Sequence, residues 1–330
     1  MNKLPLTLAV CDYDRTKAIF FGRAPVEGCE VLPFMVEAEE AFHRAFKFQE
    51  FDVTELSLSS HTITTSRGEN AYVGIPAFVS RVFRHSGIYI RTDRGIRKPA
   101  DLKGKRVGVP EYQLTANVWI RGILADDYGV HPEELLWMRG GIEEPGRGER
   151  SPIKLPAGVR LEQIPADKTL SGMLADGEID AMFSARSPSC FDRHAPNVGR
   201  LFPDSRPVEE DYFRRTGFFP IMHLIGIRKS LVEKHPWLAV NVYKAFLEAR
   251  RVAHQQLGEV GFLSVNLPFV IQHFEETRRL MGPDFWPYGL ERNHKELDTF
   301  TRYSYEQGLS ARKVDPAELF AATTLDLSKR

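Results

Sequence analysis

Three histidines stand where a proton-transfer group would be useful: His61 in "LSSHT", directly after the apolar run "VTELSL"; His85 in "FRHS"; and His223, inside "FPIMHLIGI". An imidazole titrates near neutral pH, so it both accepts and donates protons under ordinary conditions. Four arginines accompany them: Arg15 in "CDYDRT", Arg81 and Arg84 in "SRVFRH", and Arg186 in "FSARSPS". Their planar forks suit a carboxylate. The stretch "VPEYQLTANVWIRGIL" adds Tyr112 and Thr115 where a polar turn enters a helix, and free backbone N–H groups at such a start attract an anion. These residue types suit acid–base chemistry on a bound carboxylate. Each also has a plainer role: a core histidine, an exposed arginine, a salt bridge from Arg15 to Asp12 or Asp14, or an N-cap at Thr115 with Trp119 in the core.

The elements that must position these residues alternate. "LTLAV" reads as a strand, "EAEEAFHRAFKF" as a helix with Ala41, Phe42, Ala45 and Phe46 toward the core, and "VTELSL" as a second strand. A second α/β series begins near "IRKPADLKGKRVGVP". It continues through the helix "LTANVWIRGILADDYGV", the strand "VRLEQIP", the helix "KTLSGMLADG" and the strand "EIDAMFS". "FPDSRP" reads as a Pro-rich crossing, "FFPIMHLIGI" as another strand, and the remainder as largely helical. The glycine-rich interval from Gly140 to Gly158 reads as a long loop, either a lid or a surface excursion. On an extended strand Arg81 and Arg84 face opposite sides; on a helical turn they share one.

The chain has 330 residues, enough for two lobes with a sizeable core. Lys plus Arg and Asp plus Glu both number 44, so no basic field exists to draw nucleic acid. Three unevenly spaced cysteines, Cys11, Cys29 and Cys190, argue against a disulfide framework or a zinc site and suit a reducing compartment. The opening "MNKLPLTLAVCDYDRT" lacks the apolar core and cleavage site of a secretory signal, and no run is long enough to span a membrane. A cytoplasmic location, with no membrane partner, is expected.

"DLKGKRVGVP" with its following turn and helix, together with "MLADGEIDAMF", resembles the type II periplasmic binding-protein fold. In that fold two lobes, each a mixed, mainly parallel sheet flanked by helices, close on a ligand. The resemblance implies a discontinuous first lobe of residues 1–94 and 207–330, including a helical C-terminal region, and a second lobe of residues 95–206. The crossings would lie near "GIYIRTD" and "FPIMHLIGI", with the ligand cleft between the lobes. A closer resemblance covers nearly the whole chain. "FVSRVFRHSGIYIRTDRGI", "GVPEYQLTANVWIRGIL", "WMRGGIEEPGR", "RLFPD" and "TGFFPIMHLIGIR" look like the 4,5-dihydroxyphthalate decarboxylases of bacterial phthalate degradation. It implies an enzyme that yields 3,4-dihydroxybenzoate and carbon dioxide from a small aromatic dicarboxylate, with no redox cofactor.

Under that resemblance the three histidines become candidates for the proton steps and the arginines candidates for the two carboxylates. Thr115 and the backbone around it would receive one acid group, with Tyr112 or Trp119 against the ring. Glu111 ranks below histidine as a base, because a bound dianion repels it. No HxH, HExxH or paired Cys/His spacing occurs. Asp12 and Asp14 alone are a weak metal signal, so no metal is expected, although a divalent ion stays open. The aromatics of "DFWPYG" and "FTRYSYEQG" are either core or the interface of a homo-oligomer. Two other readings share the scaffold: a non-catalytic receptor for an aromatic carboxylate, and an enzyme acting on another hydroxylated aromatic acid or a pyrimidine-type precursor.

Overall fold

The run "LPLTLAV" carries aliphatic groups on both faces and is buried over its last three residues, as an interior parallel strand requires. In the computed structural model, which describes residues 3–150 and 152–327, it forms β1 (Leu4–Val10). The strands that follow are β2 (Cys29–Met35), β3 (Val53–Ser57), β4 (Tyr72–Arg81), β5 (Ile88–Arg91) and β6 (Arg106–Val109). Next come β7 (Leu136–Arg139), β8 (Arg160–Gln163), β9 (Ala181–Phe183), β10 (Val198–Arg200) and β11 (Ile221–Arg228).

The chain divides into two units. The first comprises Met1–Arg81, Ile221–Asp298 and Val314–Arg330. Its sheet runs β2-β1-β3-β11-β4; β1 pairs in parallel with β2 and β3, and β11 lies antiparallel between β3 and β4. The helix Ala38–Phe48 buries Ala41, Phe42 and Ala45 of the face anticipated from spacing, leaves Phe46 only partly buried, and ends at Gln49 in a left-handed conformation. The helix Leu58–Arg67 starts as β3 ends. Its residues are mostly buried, and Gly68, at φ 71°, stops it.

The second unit comprises Val82–Pro220 and Thr299–Lys313. Its sheet runs β10-β5-β9-β6-β7-β8, with β6, β7, β8 and β9 parallel and β5 antiparallel to β9 and β10. Trp119, Trp137 and Phe183 are buried in this unit, and Trp119 packs against Phe300 and Tyr303. Phe300 and Tyr303 of "FTRYSYEQG" are therefore core, whereas Tyr305 is half exposed.

Several expected boundaries shift. Residues 82–94 and 207–220 belong with the second unit, because β5 hydrogen-bonds to β9 and β10; Thr299–Lys313 joins them. "FPDSRP" is only in part a crossing: a helix begins at Ser205 and runs to Thr216, with Pro207 in its first turn, where a missing N–H costs nothing. Among the described residues no helix is long and apolar enough to cross a membrane.

Candidate active site

Glu55 occupies the middle of β3, a strand buried at all five positions, and is itself fully sealed from solvent. A carboxylate there needs partners, and it has three. The Cys11 N–H donates to Oε2 at 3.0 Å, the Tyr13 hydroxyl donates to Oε1 at 2.8 Å, and His223 Nδ1 lies 2.6 Å from Oε1. The register explains the last contact. His223 on β11 stands opposite Ser57, two residues from Glu55 on the same strand face, so the two side chains are diagonal cross-strand neighbours. On its other edge, β11 shifts register against β4 on both sides of His223, an irregularity of the kind that re-aims a side chain.

Burial pushes the Glu55 carboxyl upward. The hydrogen bond and charge of His223, with the Cys11 N–H and the Tyr13 hydroxyl, outweigh it and hold the group below the usual carboxylate range. Burial and the Glu55 charge push the Tyr13 phenol far up, so it stays a donor. Burial, then Glu55 and Glu37, also raise the Cys11 thiol. An ionised Glu55 only accepts, so His223 Nδ1 carries the proton of their bond and Nε2 is left for other work. The imidazole keeps 19% side-chain exposure, with Phe42 edge-on at 4.7 Å.

Tyr13 ties a cation to this pair. Its ring lies 4.1 Å from the Arg15 guanidinium, which the Trp286 ring flanks at 4.2 Å on another side. Arg15 Nε donates to the Val79 carbonyl at 2.6 Å and Nη1 to Asp14 at 3.0 Å, leaving Nη2 outside these bonds. Trp286 is pinned by its indole N–H to the Phe78 carbonyl at 2.7 Å. Glu55, His223, Tyr13 and Arg15 thus form one connected group in the first unit.

Of the other anticipated residues in the first unit, His61 and Arg81 find their partners elsewhere. His61 is buried on the helix Leu58–Arg67 with Nε2 2.8 Å from the Leu319 carbonyl, and burial pushes it toward the neutral form. His85, in the second unit, is packed edge-on against Tyr212 and Phe202 and is pushed down to about 4, chiefly by burial. Arg81 is sealed in a cluster with Glu296 at 3.2 Å, the Pro287 carbonyl at 2.9 Å and Asn293. Arg84 is also buried, which lowers it to about 10 despite Glu209. Arg186 is exposed on the turn after β9.

The turn before the helix Thr115–Tyr128 does hold an anion, but one supplied by the chain. The Glu149 carboxylate accepts from the Tyr112 N–H at 2.6 Å, the Gln113 N–H at 3.2 Å and Gln113 Nε2 at 3.1 Å. Glu149 comes from the Gly140–Gly158 loop, which is further tied down by Arg147 Nε on Glu111 at 2.9 Å. Glu111 is thereby committed to an ion pair. Thr115 is buried as the first residue of the helix; Leu114 occupies the cap position and makes no side-chain cap. Tyr112 and Trp119 are both fully buried. Cys11, Cys29 and Cys190 are free thiols. Among the described residues no group of three or more His, Cys, Asp and Glu assembles that could hold a metal ion.

Glu55, Tyr13 and Trp286 escaped the residue-by-residue reading. The available signal was Glu55 itself, a charge inside "VTELSL", a run apolar enough to be buried on both faces.

No family model matches the chain. A curated 4,5-dihydroxyphthalate decarboxylase of Comamonas testosteroni is 46% identical over 329 residues, covering 100% of both chains. Another from Pseudomonas putida is 47% identical over 218 residues, 66% of this chain and 84% of that one. Among solved structures, the alkanesulfonate-binding protein SsuA of Xanthomonas axonopodis pv. citri, bound to MOPS, superposes with a TM-score of 0.53 at 14% identity, covering 97% of this chain and 99% of that one. A periplasmic sulfonate-binding protein SsuA of Methylobacillus flagellatus KT gives 0.57 at 13% identity, covering 100% and 96%. At such identities the likeness speaks for the fold alone, and the fold is the anticipated periplasmic binding-protein type.

Proposed function

The chain belongs to the 4,5-dihydroxyphthalate decarboxylase family, and we propose that His223, oriented by Glu55, is the group through which it moves the proton of its reaction. The protein is a carboxy-lyase of aromatic catabolism that converts 4,5-dihydroxyphthalate to 3,4-dihydroxybenzoate and carbon dioxide.

Each hydroxyl of the substrate is para to one carboxyl-bearing carbon. Removing the hydroxyl proton drives electron density onto that carbon, which then takes a proton. The bond to the carboxylate breaks, its electron pair returns to the ring, carbon dioxide leaves and the oxygen regains its proton. One proton, taken from solvent water, is consumed at carbon and no electron is gained or lost overall, so the reaction as proposed needs neither a redox group nor a metal.

His223 Nε2 accepts the hydroxyl proton, and the imidazolium that forms is stabilised by the ionised Glu55 at Nδ1. The same nitrogen returns the proton when aromaticity is restored. Arg15 Nη2 holds a substrate carboxylate, its guanidinium kept in place by Tyr13, Trp286 and the Val79 carbonyl. The single observation that carries this reading is the 2.6 Å contact between His223 and a sealed carboxylate, with one edge of the imidazole still open. We place the enzyme in the cytoplasm, where its free thiols would stay reduced.

The test is turnover of 4,5-dihydroxyphthalate by His223→Asn, with folding checked by thermal melting. A loss of about 10²–10⁴ in kcat is expected for removal of a general base. Wild-type kcat in a folded variant would remove His223 from the mechanism.

A further inference from the structure

His223 has a neighbour on β4 as well as on β3. Between Ile225 and His223 the strand β11 advances two residues, while β4 advances five, from Ile75 to Ser80. An unbroken ladder would set Ala77 opposite His223; the bulge formed by residues 76–79 sets Ser80 there instead. Directly opposed residues share a face of the sheet, so the Ser80 side chain stands beside the imidazole.

The bulge takes backbone carbonyls out of the ladder, and the site uses them. The Pro76 carbonyl accepts from the Gly289 N–H at 2.8 Å, the Phe78 carbonyl from the Trp286 indole N–H at 2.7 Å and the Val79 carbonyl from Arg15 Nε at 2.6 Å. One irregularity of β4 therefore fixes Arg15, its aromatic neighbour Trp286 and the residue opposite His223.

Ser80 is 8% exposed. No hydrogen bond among the described residues engages its hydroxyl, and the oxygen is not one of the fully sealed atoms, so it keeps a surface through which a ligand can reach it. On β3 the residue opposite His223 is Ser57, and its hydroxyl is in use: it accepts from the Ser60 N–H at 3.4 Å as the cap of the helix Leu58–Arg67. Of the two serines that flank His223, Ser80 is the one with a hydroxyl to spare. A mostly buried hydroxyl without a partner forgoes a bond that it could make, and what it faces here is the open edge of the imidazole.

We propose that Ser80 is a specificity-determining residue of the decarboxylation, holding the second ring hydroxyl of the substrate while His223 acts on the first; this rests on the role assigned to His223 above. Side chains opposed across a ladder have Cβ atoms about 4.5–5.5 Å apart, a span that two adjacent ring oxygens bridge. Ser80 Oγ donates to the oxygen of the second hydroxyl, which leaves that group's own proton for the phenolate that forms beside it. A ring with a single hydroxyl answers only one of the two side chains. The pair thus selects a vicinal diol.

In the assigned reaction the hydroxyl that His223 deprotonates is para to the carboxylate that leaves and meta to the one that stays, whereas its neighbour is para to the one that stays. The product 3,4-dihydroxybenzoate therefore has both hydroxyls, and 3-hydroxybenzoate keeps the one for His223 and lacks the one for Ser80. The experiment is calorimetric titration of the intact protein with each of these two acids. Wild type is expected to prefer the dihydroxy acid about five- to tenfold, and Ser80→Ala to reduce that preference below about twofold while its affinity for 3-hydroxybenzoate stays within about twofold of wild type. A dihydroxy preference that is absent from wild type or undiminished in the variant overturns the proposal, as does an equal weakening of both ligands, which is what a merely structural serine would give. The readout is binding. An undiminished preference alongside an inactive His223→Asn would remove Ser80 alone, whereas wild-type kcat in His223→Asn would remove the proton step on which it rests.

Discussion

His223 Nδ1 stands 2.6 Å from Glu55 Oε1, although 168 residues separate them in the chain, because β11 threads between β3 and β4. The pair holds one tautomer of the imidazole. Replacing the carboxylate with an amide of the same shape, Glu55→Gln, removes both the charge that supports an imidazolium and the fixed direction of the Nδ1 proton. A fall in kcat of roughly 10²–10³ with KM changed severalfold at most is expected. Steady-state kinetics on the folded variant check this; a kcat within threefold of wild type would leave Glu55 a purely structural acid.

Acid stability should depend on His85. Its folded pKa of about 4 lies below the ordinary 6.5, because burial outweighs the nearby Asp127. Above pH 6.5 the ring is neutral whether the chain is folded or not. As pH falls from there toward 4, the unfolded chain takes up a proton that the folded one refuses, so stability drains away, by about 3 kcal/mol at full extent. His61, also held down by burial, acts in the same direction. His85→Phe keeps the aromatic packing with Phe202 and Tyr212 and should flatten the fall in melting temperature across that window. An unchanged slope would mean that His85 does not carry it.

Arg81 and Glu296 form a buried pair, with side chains 1% and 6% exposed, and Glu296 also accepts from the Ile221 N–H at 2.7 Å. Glu296→Ala strands a sealed guanidinium and should cost about 3–5 kcal/mol, whereas the double replacement Arg81→Met, Glu296→Leu should cost less than that single change. Urea denaturation measures both. A single-variant loss under about 1 kcal/mol would show that the remaining partners of Arg81 suffice.

Glu149 fills the anion position before the helix Thr115–Tyr128. Glu149→Gln should weaken the three bonds it accepts and lower stability by about 1–3 kcal/mol. Sulfate should then raise the melting temperature of the variant more than that of wild type, since the Tyr112 and Gln113 N–H groups accept an outside anion. Equal responses to sulfate would show that these groups do not serve as an anion site.

Much of this architecture was legible because aliphatic runs such as "LTLAV", "RVGV" and "FFPIMHLIGI" announce interior strands by themselves. His223 could be singled out as a titratable group in such a run. Its partner could not, since Glu55 meets it only through a cross-strand register set by the whole sheet. The helix start at Thr115 was anticipated together with its appetite for an anion. That Glu149 supplies the anion depends on where a long loop folds back, which local spacing does not encode. His61 and His85 look as suitable as His223 in one dimension, and only their surroundings, a backbone carbonyl for one and two aromatic rings for the other, set them apart.

The central claim is a decarboxylation by ring protonation that is driven by removal of the hydroxyl proton at the His223–Glu55 pair. The most direct measurement is turnover of 4,5-dihydroxyphthalate in deuterium oxide by the metal-stripped protein, counting carbon dioxide and the deuterium bound to carbon in the product. One carbon dioxide for each 3,4-dihydroxybenzoate, with one deuterium at the carbon the carboxylate left, and loss of both signals in His223→Asn, is the predicted result. Tight binding without carbon dioxide, or undiminished turnover in His223→Asn, would contradict it.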